Sequence, residues 1–315
     1  MDSQDDQRGL RHMRVAITGS TGLIGSALVH DLRTSGTDVI RLVRRDPAGD
    51  EELRWDPGAA GAGLSAGALD GVDAVVHLAG APVASGRWTP ARKEELRASR
   101  IDSTSAIIAA MLAAPKPPPV LIAGSAIGWY GDTGSNAVDE TAPNGSGFLA
   151  MLVRDWEAAT APASAAGVRV VNLRSGIVLS SRGGMLPRLL MPFRLGLGAR
   201  FGDGRQYISW ITLADHVRAV RFLLDRSDLS GPVNLTSPEP ATNSELTRAL
   251  AVNLHRAARL TVPAAVLRLA LGELSTELLS SCRALPARLE QAGFAFQYPA
   301  IGPALAAAAA DKTAF

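Results

Sequence analysis

Cysteine is almost missing from this chain: Cys282 stands alone among 315 residues. A single thiol excludes an internal disulfide and any multi-cysteine metal centre. The five histidines show no metal-ligand spacing, so no metal is expected. Lysine is scarce as well. Only positions 93, 116 and 312 carry it among 32 basic residues, and basic residues never run longer than two. That pattern speaks against a nucleic-acid partner and against a membrane partner. No apolar run approaches the roughly 18 residues of a membrane span. The amino end, MDSQDDQRGLRH, is polar and acid-containing, unlike a secretory signal. The expected setting is cytoplasmic, with residues 1–12 as a tail and Met13 as a candidate start. No internal repeat is visible.

What is present describes a folded enzyme-sized protein: 47% hydrophobic residues, 20% charged, net charge +2. Strand-like apolar runs at 14–18, 38–43, 74–78, 120–124 and 168–173 alternate with helical stretches at 22–35, 90–114 and 148–166. Such alternation predicts α/β architecture, a doubly wound Rossmann-type parallel sheet covered on both faces. PKPPP at 115–119 stops the second helix. The Gly/Ala-rich stretch 56–69 is expected to be a loop without chemistry. After residue 174 the texture becomes glycine-rich loops and short helices. The expected division is a dinucleotide-binding domain over 13–174, with a returning segment near 209–236. Most of 175–315 then forms a smaller, mainly helical substrate domain.

The strongest local signal is ITGSTGLIG, residues 17–25. In a Rossmann unit the first glycine allows the tight turn, the second admits a pyrophosphate, and the third lets helix and strand pack closely. The helix start then offers free N–H groups to the phosphates. The loop Gly19, Ser20, Thr21, Gly22, Leu23, Ile24 and Gly25 is therefore the expected cofactor cradle. Strand two runs into Arg44 and Arg45, with no acid before Asp46. Arginine at that place accommodates the 2′-phosphate of NADP, where an acid would bond the ribose of NAD, so NADP(H) is the expected cofactor.

With DAVVHLAG at 73–80, GSA at 124–126 and YG at 130–131, this loop resembles the extended short-chain dehydrogenase/reductase superfamily. More narrowly the chain resembles the YfcH-type epimerase family, relatives of NAD-dependent epimerases and dehydratases with a C-terminal domain of unknown function. That likeness rests on SGRW (85–88), ASRIDST (98–104), RDWEAA (154–159), LRSGIVLS (173–180), MPFRLGLG (191–198), YISWITLADHV (207–217), NLTSPEPATNSEL (234–246) and GFAFQYP (293–299).

The resemblance implies that Leu78, Ala79 and Gly80 line the cofactor, that Arg44 and Arg45 hold its 2′-phosphate, and that Val178 lies near the nicotinamide. It also exposes a gap. Active superfamily members use a tyrosine and a lysine four residues later, the lysine lowering the phenol pKa. Here the matching positions are Phe148 and Leu152, and no lysine occurs between 117 and 311. The usual asparagine falls on Arg100, expected to face the cofactor's phosphates or ribose, with Glu95 as companion. Ser125, or Ala126 one place out of register, matches the superfamily serine. Tyr130 and Tyr207 either donate a proton in place of the missing pair or pack against an apolar wall. Trp88, Trp129 and Trp210 either wall a ligand or pack the core; His77 reads as buried and structural, and His216 as part of a local salt bridge or cap. Two function classes stay open. One is an NADP(H)-dependent oxidoreductase or epimerase acting on a small organic or sugar-nucleotide-like substrate, with a homodimer compatible with it. The other is a non-catalytic NADP(H)-binding sensor.

Overall fold

The computed structural model describes residues 13–58, 63–65 and 67–310. The expected tail 1–12 and part of the loop expected over 56–69 lie outside the described residues.

Seven parallel strands form the central sheet: β1 (Arg14–Thr18), β2 (Asp38–Val43), β3 (Glu52–Arg54), β4 (Ala74–His77), β5 (Val120–Ala126), β6 (Arg169–Ser175) and β7 (Gly231–Leu235). Their spatial order is β7-β6-β5-β4-β1-β2-β3, and every neighbouring pair is parallel. The fold is a doubly wound Rossmann-type α/β fold, and the strand order reverses between β1 and β4. In such sheets a ligand crevice opens at that reversal, outside the carboxyl ends of the strands.

Period two in the strands explains the two-sided core. On β1, Val15 and Ile17 join one cluster, with Leu28, Leu32, Val76, Ile122, Val220 and Leu223. Ala16 turns to the other, with Ile40, Leu42, Val75, Leu121, Ile107 and Met111. The covering helices are α1 (Leu23–Thr34), α2 (Pro90–Leu112), α3 (Phe148–Ala158) and, later in the chain, α5 (Leu213–Asp225). Thr89 caps α2 by accepting from the Arg92 N–H, and Thr212 caps α5 by accepting from the Asp215 N–H.

The helix expected over 148–166 is interrupted. α3 ends at Ala158, and a separate turn of helix covers Ala161–Ala165 with Pro162 in its first turn. Proline supplies no N–H to the preceding turn, which makes it a helix start and a poor continuation.

A second cluster lies beyond β6. It is built from α4 (Leu186–Arg194), α6 (Asn243–Asn253) and α9 (Ile301–Ala310), which bury Leu186, Leu190, Phe193, Leu246, Leu250 and Leu305 around Trp210. Thr242 and Glu245 close a reciprocal capping box on α6. The short helices α7 (Ala264–Leu271) and α8 (Leu274–Leu279) lie between α6 and α9 in the chain. No helix among the described residues is long and apolar enough to cross a membrane.

Leu28 is fully buried between α1 and the sheet. Leu28→Ala should lower the unfolding free energy by about 2–5 kcal/mol through lost transfer energy and a residual cavity. Urea denaturation followed by circular dichroism checks this.

Candidate functional site at the strand reversal

The site begins where β1 meets β4. Gly19 has φ +65°, and a Cβ there would lie 2.7 Å from the backbone carbonyl of Leu78. Gly25 is constrained by the turn itself, since its Cβ would lie 2.2 Å from the Gly19 oxygen. Gly22 differs. Its φ is −76°, and it stands as the N-cap of α1 without a side chain to bond the first turn, which also holds no acid. The positive end of α1 is thus left unanswered by the protein itself. Thr18 Oγ1 ties the two strand ends together by accepting from the N–H groups of Leu78 and Ala79, at 3.1 and 3.3 Å.

A cleft of about 800 Å³ opens over this turn. Of the expected cofactor residues, Gly19, Ser20, Thr21, Gly22, Arg44, Arg45, Leu78, Ala79, Gly80 and Glu95 line it. Leu23, Ile24, Gly25, Arg100 and Val178 are not among its walls. Leu23, Ile24 and Val178 pack against the core cluster beneath α1 and α5, and Gly25 sits behind the turn. Arg100 corrects the expectation most plainly. It is buried, donates to the carbonyl oxygens of Ala81 (3.0 Å) and Leu96 (3.2 Å), and places its guanidinium 5.2 Å from the Trp156 ring centroid. Burial pushes its pKa down to about 10. Arg100 braces the backbone that follows Gly80 and is not itself a wall of the cleft.

At the far end of the cleft, Arg45 holds Glu52 through two bonds of 2.7 Å, and Arg41 adds a contact of 3.1 Å. Arg45, then the Ala48 N–H, hold the Glu52 carboxyl down at about 2. Arg41 also donates to Ser20 Oγ across 3.3 Å. Arg44 is exposed and makes no ion pair among the described residues.

Trp55 in the wall and Arg41 beside it carry no signal in the sequence. Arg41 lies within an apolar strand and shows its direction only after folding. Trp55 follows the three-residue strand β3, too short for any periodic signal, and stands edge-on to His77 at 5.7 Å between ring centroids. His77 is buried between Thr18 Oγ1 (2.8 Å) and Ser103 Oγ (3.3 Å), and burial drives its pKa to about 4. It is neutral and structural, as its place inside a strand suggested.

Ser125 and Tyr130 are brought together, but outside the cleft walls. Ser125 Oγ donates to Glu157 at 2.6 Å, and Glu157 grips Arg174 through bonds of 2.8 and 2.9 Å. Arg174 then donates to the Tyr130 hydroxyl at 3.1 Å, and that hydroxyl donates to Asn234 Oδ1 at 2.7 Å. The Arg174 guanidinium also lies 4.0 Å from the Trp129 ring centroid. Tyr130 is 4% exposed, and burial pushes its phenol up to about 12. A phenol so held neither gives nor takes a proton readily near neutrality, so the expected acid/base role of Tyr130 is corrected to a strut between β6 and β7.

The missing tyrosine's position is filled by apolar contact. Phe148 meets Trp88 edge-to-face at 5.1 Å, and Leu152 is buried in the same cluster. Lys93 reaches over the Phe148 ring but is bonded to Glu273 at 2.6 Å. Tyr207 stacks against Arg283 in the second cluster's neighbourhood. Among the described residues His216 forms no salt bridge: its Nε2 lies 2.9 Å from Ser175 Oγ, while Asp215 takes Arg218 and the N–H groups of Gln297 and Tyr298. Trp210 is core, and Trp88 is buried beside Leu152. Cys282 is held with its thiol pushed up to about 12 by burial. Among the described residues no cluster could hold a metal ion.

Comparison with known proteins places this geometry. Residues 15–235 match the NAD dependent epimerase/dehydratase family, and residues 262–308 match a domain of unknown function, DUF1731. The chain is 50% identical over 292 residues to epimerase family protein Mb2239 of Mycobacterium bovis, covering 92% of this chain and 96% of that protein. It is 35% identical to epimerase family protein SAR0825 of Staphylococcus aureus, over 92% and 96% of the two chains. Among solved structures it is similar to human epimerase family protein SDR39U1 (isoform 2), crystallised with NADPH. There the TM-score is 0.85 and the identity 32%, with 95% of this chain and 100% of that one covered. A nucleoside-diphosphate sugar epimerase from Corynebacterium glutamicum gives 0.77 and 37%, over 93% of this chain and 57% of that one.

The Glu157–Arg174 pair is nearly buried on both sides. Arg174→Met alone should cost about 3–5 kcal/mol, because it strands a buried carboxylate. Arg174→Met combined with Glu157→Leu should cost less than that single change. Denaturant titration of the single and double variants decides it.

Proposed function

Because the chain belongs to the NAD dependent epimerase/dehydratase family, we propose that it binds a nicotinamide dinucleotide in the cleft over Gly19–Gly22, with NADP(H) preferred, and acts as an oxidoreductase. The observation that carries this is the uncapped, acid-free start of α1 behind a turn that admits no Cβ at Gly19 or Gly25. Backbone N–H groups and the helix dipole there suit an anionic group. Ser20, Thr21 and Gly22 would hold the pyrophosphate, and Leu78 to Gly80 would flank the cofactor along the end of β4. The cofactor, when bound, supplies hydride transfer.

Preference for the phosphorylated cofactor is supported by the end of β2. Arg41 and Arg45 share one carboxylate there, that of Glu52, while Asp46 is held by Arg54 and Arg44 makes no ion pair among the described residues. Positive charge remains in excess, and arginine meets a phosphate through charge-assisted, bidentate bonds. The NADPH held by the human relative agrees with this choice.

The chain's own residues set the chemistry around the reacting end. Phe148, Leu152 and Trp88 offer no proton, so the proton that a carbonyl reduction consumes would come from water in the cleft. Ser125 is committed to Glu157 and Tyr130 to Asn234. Hydride transfer needs positioning more than a tyrosinate, so reduction or oxidation of a small organic substrate fits this site better than the proton-coupled epimerisation of common sugar nucleotides. The same commitments favour a second reading, an NADP(H)-binding sensor whose relay has been replaced by structure.

In titrations NADPH should bind at least roughly tenfold tighter than NADH, about 1.4 kcal/mol. Arg44→Ala with Arg45→Ala should remove most of that gap, and equal affinities in the unmodified protein would refute the assignment. Single-turnover mixing of protein and NADPH with carbonyl compounds and UDP-sugars, followed by cofactor absorbance, tests the chemistry. Turnover of a carbonyl substrate supports the oxidoreductase, and its rate should change by less than about threefold in Tyr130→Phe, far below the usual worth of an acid/base group. NADPH binding without turnover of any substrate, together with a partner captured only when NADPH is present, supports the sensor. Rapid UDP-sugar epimerisation would overturn both.

A further inference from the structure

The face of the second cluster opposite its core carries a charge pattern that the sequence order conceals. Segments 185–202 and 246–272 contain seven arginines and not one aspartate or glutamate. Folding joins them. The strands Ala199–Phe201 and Leu260–Val262 pair in parallel, the Leu260 N–H donates to the Gly198 carbonyl at 3.4 Å, and Arg256 Nε donates to the Arg194 carbonyl at 3.5 Å. The two connections 194–198 and 255–260 therefore stand side by side.

Large apolar side chains project from the same place. Leu195 is 69% exposed, Leu197 55% and Leu260 49%. Met191, one helical turn before Leu195 and so on its face of α4, is 68% exposed. Val252, whose carbonyl accepts from the His255 N–H, is 67% exposed. Side chains exposed to this degree have no wall beside them; they are protrusions and not the lining of a groove. His255 holds the backbone at φ +51°, the sole non-glycine in that region among the described residues. Such conformations are costly and tend to sit where a loop has a task. None of these residues lines the cofactor cleft.

We infer that this ridge of protruding leucines flanked by Arg194, Arg256 and Arg259 is a docking surface for an anionic phospholipid membrane, on which the protein lies peripherally. Leucines at the tips enter the interfacial layer while the guanidinium groups meet the headgroup phosphates. Exposed apolar surface beside one sign of charge marks an interaction site, and arginines with no acid inside either segment select an anionic counterpart. A second copy of the chain is the poorer occupant, because a two-fold contact places the same patch on both sides and would set these arginines against each other. This inference departs from the expectation of no membrane partner, which rested on short basic runs and the lack of a spanning run: folding gathers these arginines from two segments, and a surface that rests on headgroups crosses nothing.

Co-sedimentation of the full chain with vesicles tests this. Vesicles of phosphatidylcholine with roughly 30% phosphatidylserine should carry the protein down, and vesicles of phosphatidylcholine alone should not. Leu195→Ser with Leu197→Ser, and separately Arg194→Gln with Arg256→Gln and Arg259→Gln, should each reduce the bound fraction at least fivefold. NADPH affinity and melting temperature should be unchanged, so failure here is distinct from failure of the cofactor assignment. Raising salt from roughly 50 to 500 mM should release the protein. No sedimentation with phosphatidylserine vesicles at low salt overturns the inference. So does undiminished binding of the leucine variant, which would reduce the effect to diffuse charge. A concentration-dependent dimer that the leucine substitutions abolish would assign the ridge to a second copy instead.

Discussion

The site depends on one close approach: the turn after β1 lies against the carbonyl of Leu78 with no room for a Cβ at Gly19. Thr18 secures it from the other side by accepting the N–H groups of Leu78 and Ala79, and its hydroxyl also lies 2.8 Å from the buried ring of His77. Strand reversal would leave a crevice in any such sheet. This contact makes it narrow, polar at its base, and lined by backbone. The helix start, the end of β4 and the arginines after β2 can face one volume only because the two strand ends are pinned together.

Where the superfamily places a proton relay, this chain places packing. Phe148 and Leu152 fill the position with apolar surface, and the nearby polar groups turn toward one another as Ser125, Glu157, Arg174, Tyr130 and Asn234. That chain of bonds crosses from β5 through β6 to β7, and through Asn234 it reaches the Leu285 carbonyl. Its groups satisfy each other's hydrogen-bonding demands, which is the condition for burying them at all. The same satisfaction commits the hydroxyl protons of Ser125 and Tyr130 to Glu157 and Asn234.

Much of this could be read from the sequence, and the exceptions have physical causes. The turn ITGSTGLIG declares itself because glycine is needed at fixed offsets, and the strands β1, β2, β4, β5 and β6 are long enough to show as apolar runs. β3 spans three residues and offers no pattern, so Trp55 behind it went unnoticed. Pro162 marks the break after α3, yet the helical pattern on either side concealed it. Arg100, Tyr130 and His216 were legible as residues but not as directions. A long or aromatic side chain near a crevice can point into it or away, and the choice is made by carbonyls and carboxylates from remote segments: Ala81 for Arg100, Asn234 for Tyr130. The arginine-rich ridge was hidden for the opposite reason. Its residues are spread over two segments separated by some fifty positions, with no basic run in either.

The Arg45–Glu52 pair gives the cleft a different character from a bare basic pocket. Arg45 already has both arms of its guanidinium on a carboxylate. If a phosphate arrives there, one anion replaces another and the count of charge-assisted bonds stays the same. Recognition at this corner is then an exchange reaction. Its free energy is the difference between two ion pairs of similar geometry, each weakened by added salt in the same direction, so ionic strength acts mainly on the contribution of the unpaired Arg44. Glu52 also keeps the guanidinium fork aligned while it waits, which removes part of the ordering cost that a solvated arginine would bear on capture.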